Sequence, residues 1–174
     1  IKRVPLSTYR AQRRGGKGRA GMSTREEDFV NQVFVVNTLT PLLFFSSRGI
    51  VYRLKTYKLP IGSPTSRGKA IINLLPLKAG EKINTLMPYN ETDNKNNIIF
   101  ATAKGNVRRN KLTDFQNINA NGKIAMKLVD NDRLVNVITC EETANIFLSS
   151  KLGKCIRFIC LLYTSPSPRD SSQS

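Results

Sequence analysis

Seven consecutive residues, Gln12-Arg13-Arg14-Gly15-Gly16-Lys17-Gly18, set three cations among three glycines with no acid between them. The chemistry open to such a stretch is anion capture. Arginine offers a planar fork of donors that matches two phosphate oxygens, and lysine a mobile point charge. Glycine lacks a Cβ, so the intervening backbone can approach a bound anion and turn its own N–H groups toward it. Arg10 and Arg19 extend the charge on either side, and Lys2 and Arg3 lie further upstream. Eight cations precede the first acid, Glu26, and they account for half of the formal net charge of +16. A solvated basic arm explains the charge but not the glycine spacing.

Other chemistries find little support. The 174 residues contain no histidine, which removes His-based metal sites and Ser-His-Asp catalysis. Cys140, Cys155 and Cys160 are too few and too scattered for a zinc or disulfide framework, and reduced thiols in a cytoplasm fit them best. No paired carboxylates or nucleophile–base sets occur, and no apolar run approaches the roughly 18 residues that span a bilayer. The sequence from Gly16 to Gly21 satisfies G-x-G-x-x-G, but a basic stretch stands where a dinucleotide fold needs an apolar strand. It also has P-loop spacing, yet Met22-Ser23 replaces the required Lys-Ser/Thr. Arg14-Gly15-Gly16 is a single RGG-type triplet. A pI near 10.2 leaves a polyanion as the expected partner.

The elements that must carry these cations come from an internal repeat of about 50 residues. A basic strand pattern recurs at Ile1-Lys2-Arg3, Val51-Tyr52-Arg53, Val107-Arg108-Arg109 and Cys155-Ile156-Arg157. The last three each follow a glycine turn, at Gly49, Gly105 and Gly153, and before each turn lies an apolar strand, over 42–47, 98–103 and 146–150. Each pair reads as a β-hairpin closed by glycine. A further strand precedes each hairpin, over 33–37, 82–87 and 134–140. A second glycine turn follows each basic strand, at Gly16-Lys17, Gly68-Lys69 and Gly122-Lys123, the last two leading into apolar strands over 70–75 and 124–129. Prolines at 41, 60, 64, 76 and 88 break longer helices, leaving at most one helical turn near Ser23-Thr24-Arg25-Glu26. The expected class is all-β, with four short strands per unit arranged as propeller-like blades; a solenoid or open sandwich is the alternative.

The heptad over 12–18 matches the gyrase A box, and the chain over 1–159 resembles the C-terminal domain of the bacterial DNA gyrase A subunit. Val4-Pro5-Leu6-Ser7-Thr8-Tyr9, Phe45-Ser46-Ser47-Arg48-Gly49, Ile72-Asn73-Leu74-Leu75-Pro76-Leu77 and Lys127-Leu128-Val129-Asp130 carry the resemblance alongside the box. It implies a β-pinwheel, here incomplete, with about three blades of an expected six. The implied division is 1–27 for the end of a first blade with the box loop, 28–80 and 81–130 for two blades, and 131–159 for the start of another. Opening on Ile1 without a Met, the chain reads as a fragment of something longer. Residues 160–174 depart from the repeat and resemble one reading frame of a sequencing adapter, so they are set aside as a non-native tail.

By the same resemblance the domain binds and wraps duplex DNA around a basic rim, within an ATP-dependent type IIA topoisomerase that introduces negative supercoils. The implied setting is a cytoplasmic, nucleoid-associated A2B2 enzyme that includes the gyrase B subunit, with ATP and Mg held on other domains and no cofactor in this fragment. The catalytic tyrosine lies elsewhere too, so Tyr9, Tyr52, Tyr57, Tyr89 and Tyr163 are not nucleophiles. The DNA-binding candidates are Gln12, Arg13, Arg14, Gly15, Gly16, Lys17, Gly18, Arg19, Arg10, Lys2, Arg3, Arg53, Lys69, Arg109 and Lys123. The recurring arginines, Arg157 included, read equally as phosphate contacts or as edge-strand charges that discourage aggregation. Phe34, Phe44, Phe100 and Phe147 read as blade core, and Glu26, Glu27 and Asp28 as a solvated turn. Rival readings are the C-terminal domain of the topoisomerase IV A subunit, which lacks an intact box, a basic propeller that binds proteins, and a β-rich RNA-binding protein.

Overall fold

In chain order the strands are β1 Pro41–Ser46, β2 Ile50–Lys55, β3 Ile83–Pro88, β4 Asn97–Thr102, β5 Val107–Lys111, β6 Lys123–Ile124, β7 Leu134–Cys140, β8 Asn145–Ser149 and β9 Cys155–Ile159. They come from a computed structural model that describes residues 1–9, 22, 29–90, 92 and 96–160. The box over 12–18, its flanking Arg10 and Arg19, the acids at 26–28 and the tail from 161 lie outside the described residues. All strand pairs are antiparallel, in sheets ordered β3-β1-β2-β6, β5-β4-β7 and β8-β9.

The three expected hairpins form, β1 with β2, β4 with β5 and β8 with β9. Their turns share one construction. Gly49, Gly105 and Gly153 take φ of +73°, +86° and +78°, a region that side chains with a Cβ rarely enter. Their N–H groups donate to the carbonyls of Ser46, Thr102 and Ser150, each at 3.0 Å. The hydroxyls of those three residues accept the N–H of Ile50 (3.3 Å), Asn106 (3.1 Å) and Lys154 (3.1 Å). A hydroxyl four positions before the returning strand thus closes each turn.

The strand ahead of each hairpin does not pair with that hairpin. β3 adds to β1 and β7 to β4, so each joins the hairpin of the preceding unit. Both ladders shift register at the same place, beside Phe45/Ser46 and Ala101/Thr102. The second glycine turn also reaches backward. Lys123 and Ile124 pair with Val51 and Ile50 of β2. Likewise the Lys69 N–H donates to the Ile1 carbonyl (2.9 Å), and the Ile1 nitrogen to the Lys69 carbonyl (2.7 Å). The complete four-stranded sheet is therefore one hairpin flanked by two pieces of the next unit.

Three expected strands are corrected. Residues 33–37 are exposed chain without ladder pairs. The stretch over 70–75 is a 3-10 turn at Ile71–Asn73 that seats Leu75 in the core. The stretch over 124–129 makes only two ladder pairs before the chain turns and brings the Ala125 and Met126 N–H groups onto the Gly49 carbonyl (2.8 and 3.1 Å).

Side chains alternate faces along each inner strand, and both faces are buried. Leu43 and Phe45 of β1 meet Ile98 and Phe100 of β4 across the first two sheets. Phe45, Phe100 and Phe115 contact edge to face, with centroids 5.7–6.1 Å apart. Leu42 and Phe44 face Ile1, Tyr52, Leu59 and Leu75 on one side of the array, and Ile99 packs with Cys140 and Ile146 on the other. A fully buried Phe contributes roughly 1.5–3 kcal/mol, so this face-to-face stacking is what holds the sheets together as blades. Phe44 and Phe100 are core as expected; Phe34 and Phe147 are exposed.

Candidate nucleic-acid interface

The repeat places Arg53, Arg109 and Arg157 at one register position, opposite Leu43, Ile99 and Phe147 on the neighbouring strand. The fold uses each differently. Arg3 donates from Nε to the Leu59 carbonyl at 3.0 Å, and Arg109 from Nη1 to the Cys160 carbonyl at 3.2 Å. Both bonds hold the chain of the next unit just past its basic strand. Arg157 donates from Nε to Asn145 Oδ1 (3.1 Å) within its own hairpin, and the Nε of Arg53 is buried without a partner. A guanidinium carries five donors, so Arg3 and Arg109 tie blades together with one and keep the rest.

The lysines divide as well. Lys2 donates from Nζ to three carbonyls, of Ser63 (2.8 Å), Pro64 (2.6 Å) and Ser66 (2.7 Å), which uses every donor of its ammonium. Lys69 is exposed at the turn that lies on Ile1. Lys123, at the equivalent turn, donates to the Asp114 carbonyl (2.5 Å), and its ammonium stands 5.7 Å from the Phe115 ring centroid. Lys69 and Lys123 are thus brought to matching places on successive sheets, whereas Lys2 is enclosed by carbonyls.

A second set of cations escaped the sequence reading. Each hairpin turn bears two exposed ones: Arg48 with Lys82, Lys104 with Arg133, and Lys151 with Lys154. In the first two sheets the partners are joined through backbone. The Ser47 N–H donates to the Lys82 carbonyl at 2.7 Å, and the Ala103 N–H to the Arg133 carbonyl at 2.9 Å. An acid underlies each pair. Buried Glu81 accepts from the Tyr52 hydroxyl (3.0 Å) and the Lys78 N–H (2.9 Å). Burial alone would raise the Glu81 pKa, but these bonds, one with Ser46 and the field of Arg48 bring it below its ordinary value. The Tyr52 hydroxyl is pushed up to about 12, first by burial and then by Glu81. Asp132 accepts from the Lys104 N–H (3.1 Å) and Asn106 Nδ2 (3.1 Å). Desolvation works against its charge, yet the bonds to Thr102, Asn106 and two backbone N–H groups hold it down at about 2. The available signal was the acid–base pair Glu81-Lys82 and Asp132-Arg133 heading β3 and β7.

Among the described residues no group of three or more His, Cys, Asp or Glu could hold a metal, and no helix is long and apolar enough to cross a membrane. The chemistry on offer is ionic and hydrogen-bonding contact along a repeated β array.

Residues 1–37, 40–90 and 96–141 match the family described as DNA gyrase C-terminal domain, beta-propeller. The DNA gyrase A subunit of Rickettsia conorii is 54% identical over 161 residues, and that of Escherichia coli K12 43% identical over 158. Each alignment covers 91% of this chain and 18% of the relative, so the chain spans about a fifth of the length of these proteins. Among solved structures, the C-terminal domain of DNA topoisomerase IV superposes with a TM-score of 0.72 at 20% identity, covering 94% of this chain and 50% of that one. The DNA gyrase A C-terminal domain superposes with a TM-score of 0.58 at 24% identity, covering 91% and 50%. These likenesses show the fold: an all-β, propeller-type array.

Proposed function

The chain belongs to the DNA gyrase C-terminal domain family, and from that premise we propose that it binds duplex DNA through phosphate contacts and, within an intact gyrase A subunit, bends the duplex around the blades so that the enzyme introduces negative supercoils. The observation that carries this reading is the heptad over 12–18, inside the first matched block and within a segment free of acids up to Glu26. Cations that neutralise phosphates release condensed counterions, which gives strong, salt-sensitive and sequence-tolerant binding. Phosphate contacts position DNA without reading it. Bending a 20–30 bp site smoothly costs on the order of 1–6 kcal/mol, and a row of cations on successive sheets can offset that cost. Exposed Lys69 and Lys123 and the paired cations at the hairpin turns support such a row. Arg53 and the remaining donors of Arg3 and Arg109 extend it.

In the same reading, strand cleavage, ATP and Mg binding, and contact with the gyrase B subunit in an A2B2 enzyme belong to other parts of the longer protein. The setting is the nucleoid of a bacterial cytoplasm. The higher TM-score of the topoisomerase IV domain does not favour that enzyme, because at 20% identity it reports shared architecture. The intact box favours gyrase.

The test replaces Arg13, Arg14 and Lys17 by Ala. In this chain, duplex affinity falls and the slope of log K against log salt becomes shallower by about 0.9 for each phosphate no longer neutralised. In the full-length protein, supercoiling is lost while DNA cleavage and ATP-driven relaxation persist. Unchanged affinity and supercoiling would remove the box from the mechanism.

A further inference from the structure

We propose that two copies of this chain associate head to tail by strand exchange, residues 30–36 of each copy adding as a strand to the open edge of β8 in the other. The chain states the rule twice: β3 adds to β1 and β7 to β4, each a strand laid antiparallel on the inner strand of the preceding hairpin. Two parts of the repeat are left over from that rule. Among the described residues β8 pairs with β9 alone, so an inner strand lacks its added strand. Residues 30–36 fill the repeat position of β7, since Val36 precedes Pro41 of β1 by the spacing that separates Cys140 from Asn145 of β8. They are an added strand without an inner one.

The side chains agree with this assignment. Along β7, Leu134, Val137 and Cys140 are buried, and the matching positions are Val30, Val33 and Val36, apolar at each place. Val137 is 3% exposed and its counterpart Val33 80%. On the acceptor side, Ile99 of β4 is 2% exposed and its counterpart Phe147 of β8 63%. Each half of the missing contact is thus present and open to solvent. Transferring the β4–β7 ladder to the pair of copies sets Val33 opposite Leu148, Phe34 opposite Phe147 and Val35 opposite Ile146. This accounts for the two phenylalanines that the periodicity assigns to the core and the fold leaves outside.

The arithmetic of the ring gives the stoichiometry. This chain covers 50% of the gyrase A and topoisomerase IV C-terminal domains it superposes on, so two copies supply the length of one such domain. Head-to-tail contacts close into a ring or run on as a filament; the half-length match selects a closed dimer with two identical junctions. Each copy carries +16, so mutual repulsion opposes the dimer at low salt and is screened at higher salt. Dimerisation therefore strengthens over the salt range in which DNA binding weakens, and failure of either reading is visible separately.

Sedimentation velocity of the 174-residue chain without DNA tests the proposal, over a micromolar to near-millimolar series at moderate salt. The chain is expected to shift from monomer to dimer. Val33→Asp removes the donor strand and Phe147→Asp the acceptor. Both side chains are exposed in the single chain, and far-UV circular dichroism checks that folding is retained. Each Asp also lowers the positive charge, so weakened association cannot stem from added repulsion. Each variant alone stays monomeric, and an equimolar mixture forms a heterodimer, because one intact donor then meets one intact acceptor. A monomeric wild-type chain, a variant that still dimerises, or a mixture that stays monomeric overturns the proposal.

Discussion

At the scale of single residues, the cations separate into those that build the array and those that face outward, and their donors decide which. Lys2 has all three ammonium donors on carbonyls of the 63–66 loop, whereas Lys69 is exposed. Hydrogen bonds from a charged group contribute roughly 1.5–3 kcal/mol in total where their loss leaves acceptors unpaired. Lys2→Met is expected to lower unfolding stability by about that much with little change in the salt slope of DNA binding, and Lys69→Ala to do the reverse; chemical denaturation and salt-dependent titration of both variants distinguish them. The acids have a complementary task. Asp132 titrates at about 2 against an ordinary 3.8, so its folded pKa is depressed. The stability it confers is present above about pH 3.8 and disappears as pH falls toward 2. Asp132→Asn should flatten that part of the stability–pH curve and leave the rest unchanged in slope; an identical acid limb in the variant would contradict the assignment. The sequence shows where cations recur, but not that the carbonyls enclosing Lys2 lie some sixty residues away. Partners distant in sequence leave no local spacing to read.

At the scale of elements, hairpins were legible because a glycine turn between two apolar runs is a local signal. The pairing between units was not legible, since β3 has the same alternation whether it joins β1 or β4. Residues 33–37 show the limit of periodicity. Their pattern is that of an added strand, yet among the described residues no inner strand lies beside them. The hairpin turns allow a sharper test. Gly49 and Gly105 have the same role and similar positive φ. A Cβ on Gly49 would stand 2.3 Å from the Met126 carbonyl oxygen, whereas one on Gly105 meets nothing within 4 Å. Gly105→Ala should cost about 1–2 kcal/mol, the left-handed penalty alone. Gly49→Ala should cost more, because it also displaces the segment after β6 that donates to the Gly49 carbonyl. Equal losses in thermal or denaturant unfolding would show that the backward reach of β6 is not a structural joint.

At the scale of the whole molecule, the sheets stack face to face through apolar layers, and each is completed by chain from the next unit. Such an array has no long insulated domain boundary; every blade depends on its neighbour. That construction leaves hairpin turns and backward-reaching glycine turns at matching places on successive sheets, so cations repeat along the array as DNA phosphates repeat along a duplex. DNA binding rests on that correspondence: charge in register on blades, gripping a backbone without reading bases. The most direct measurement is fluorescence anisotropy of this chain on two duplexes of equal length and unrelated sequence, across a salt series. The expected result is one line for both in log K against log salt, falling steeply by about 0.9 per phosphate contact. A shallow slope, or affinity confined to one sequence, would contradict it.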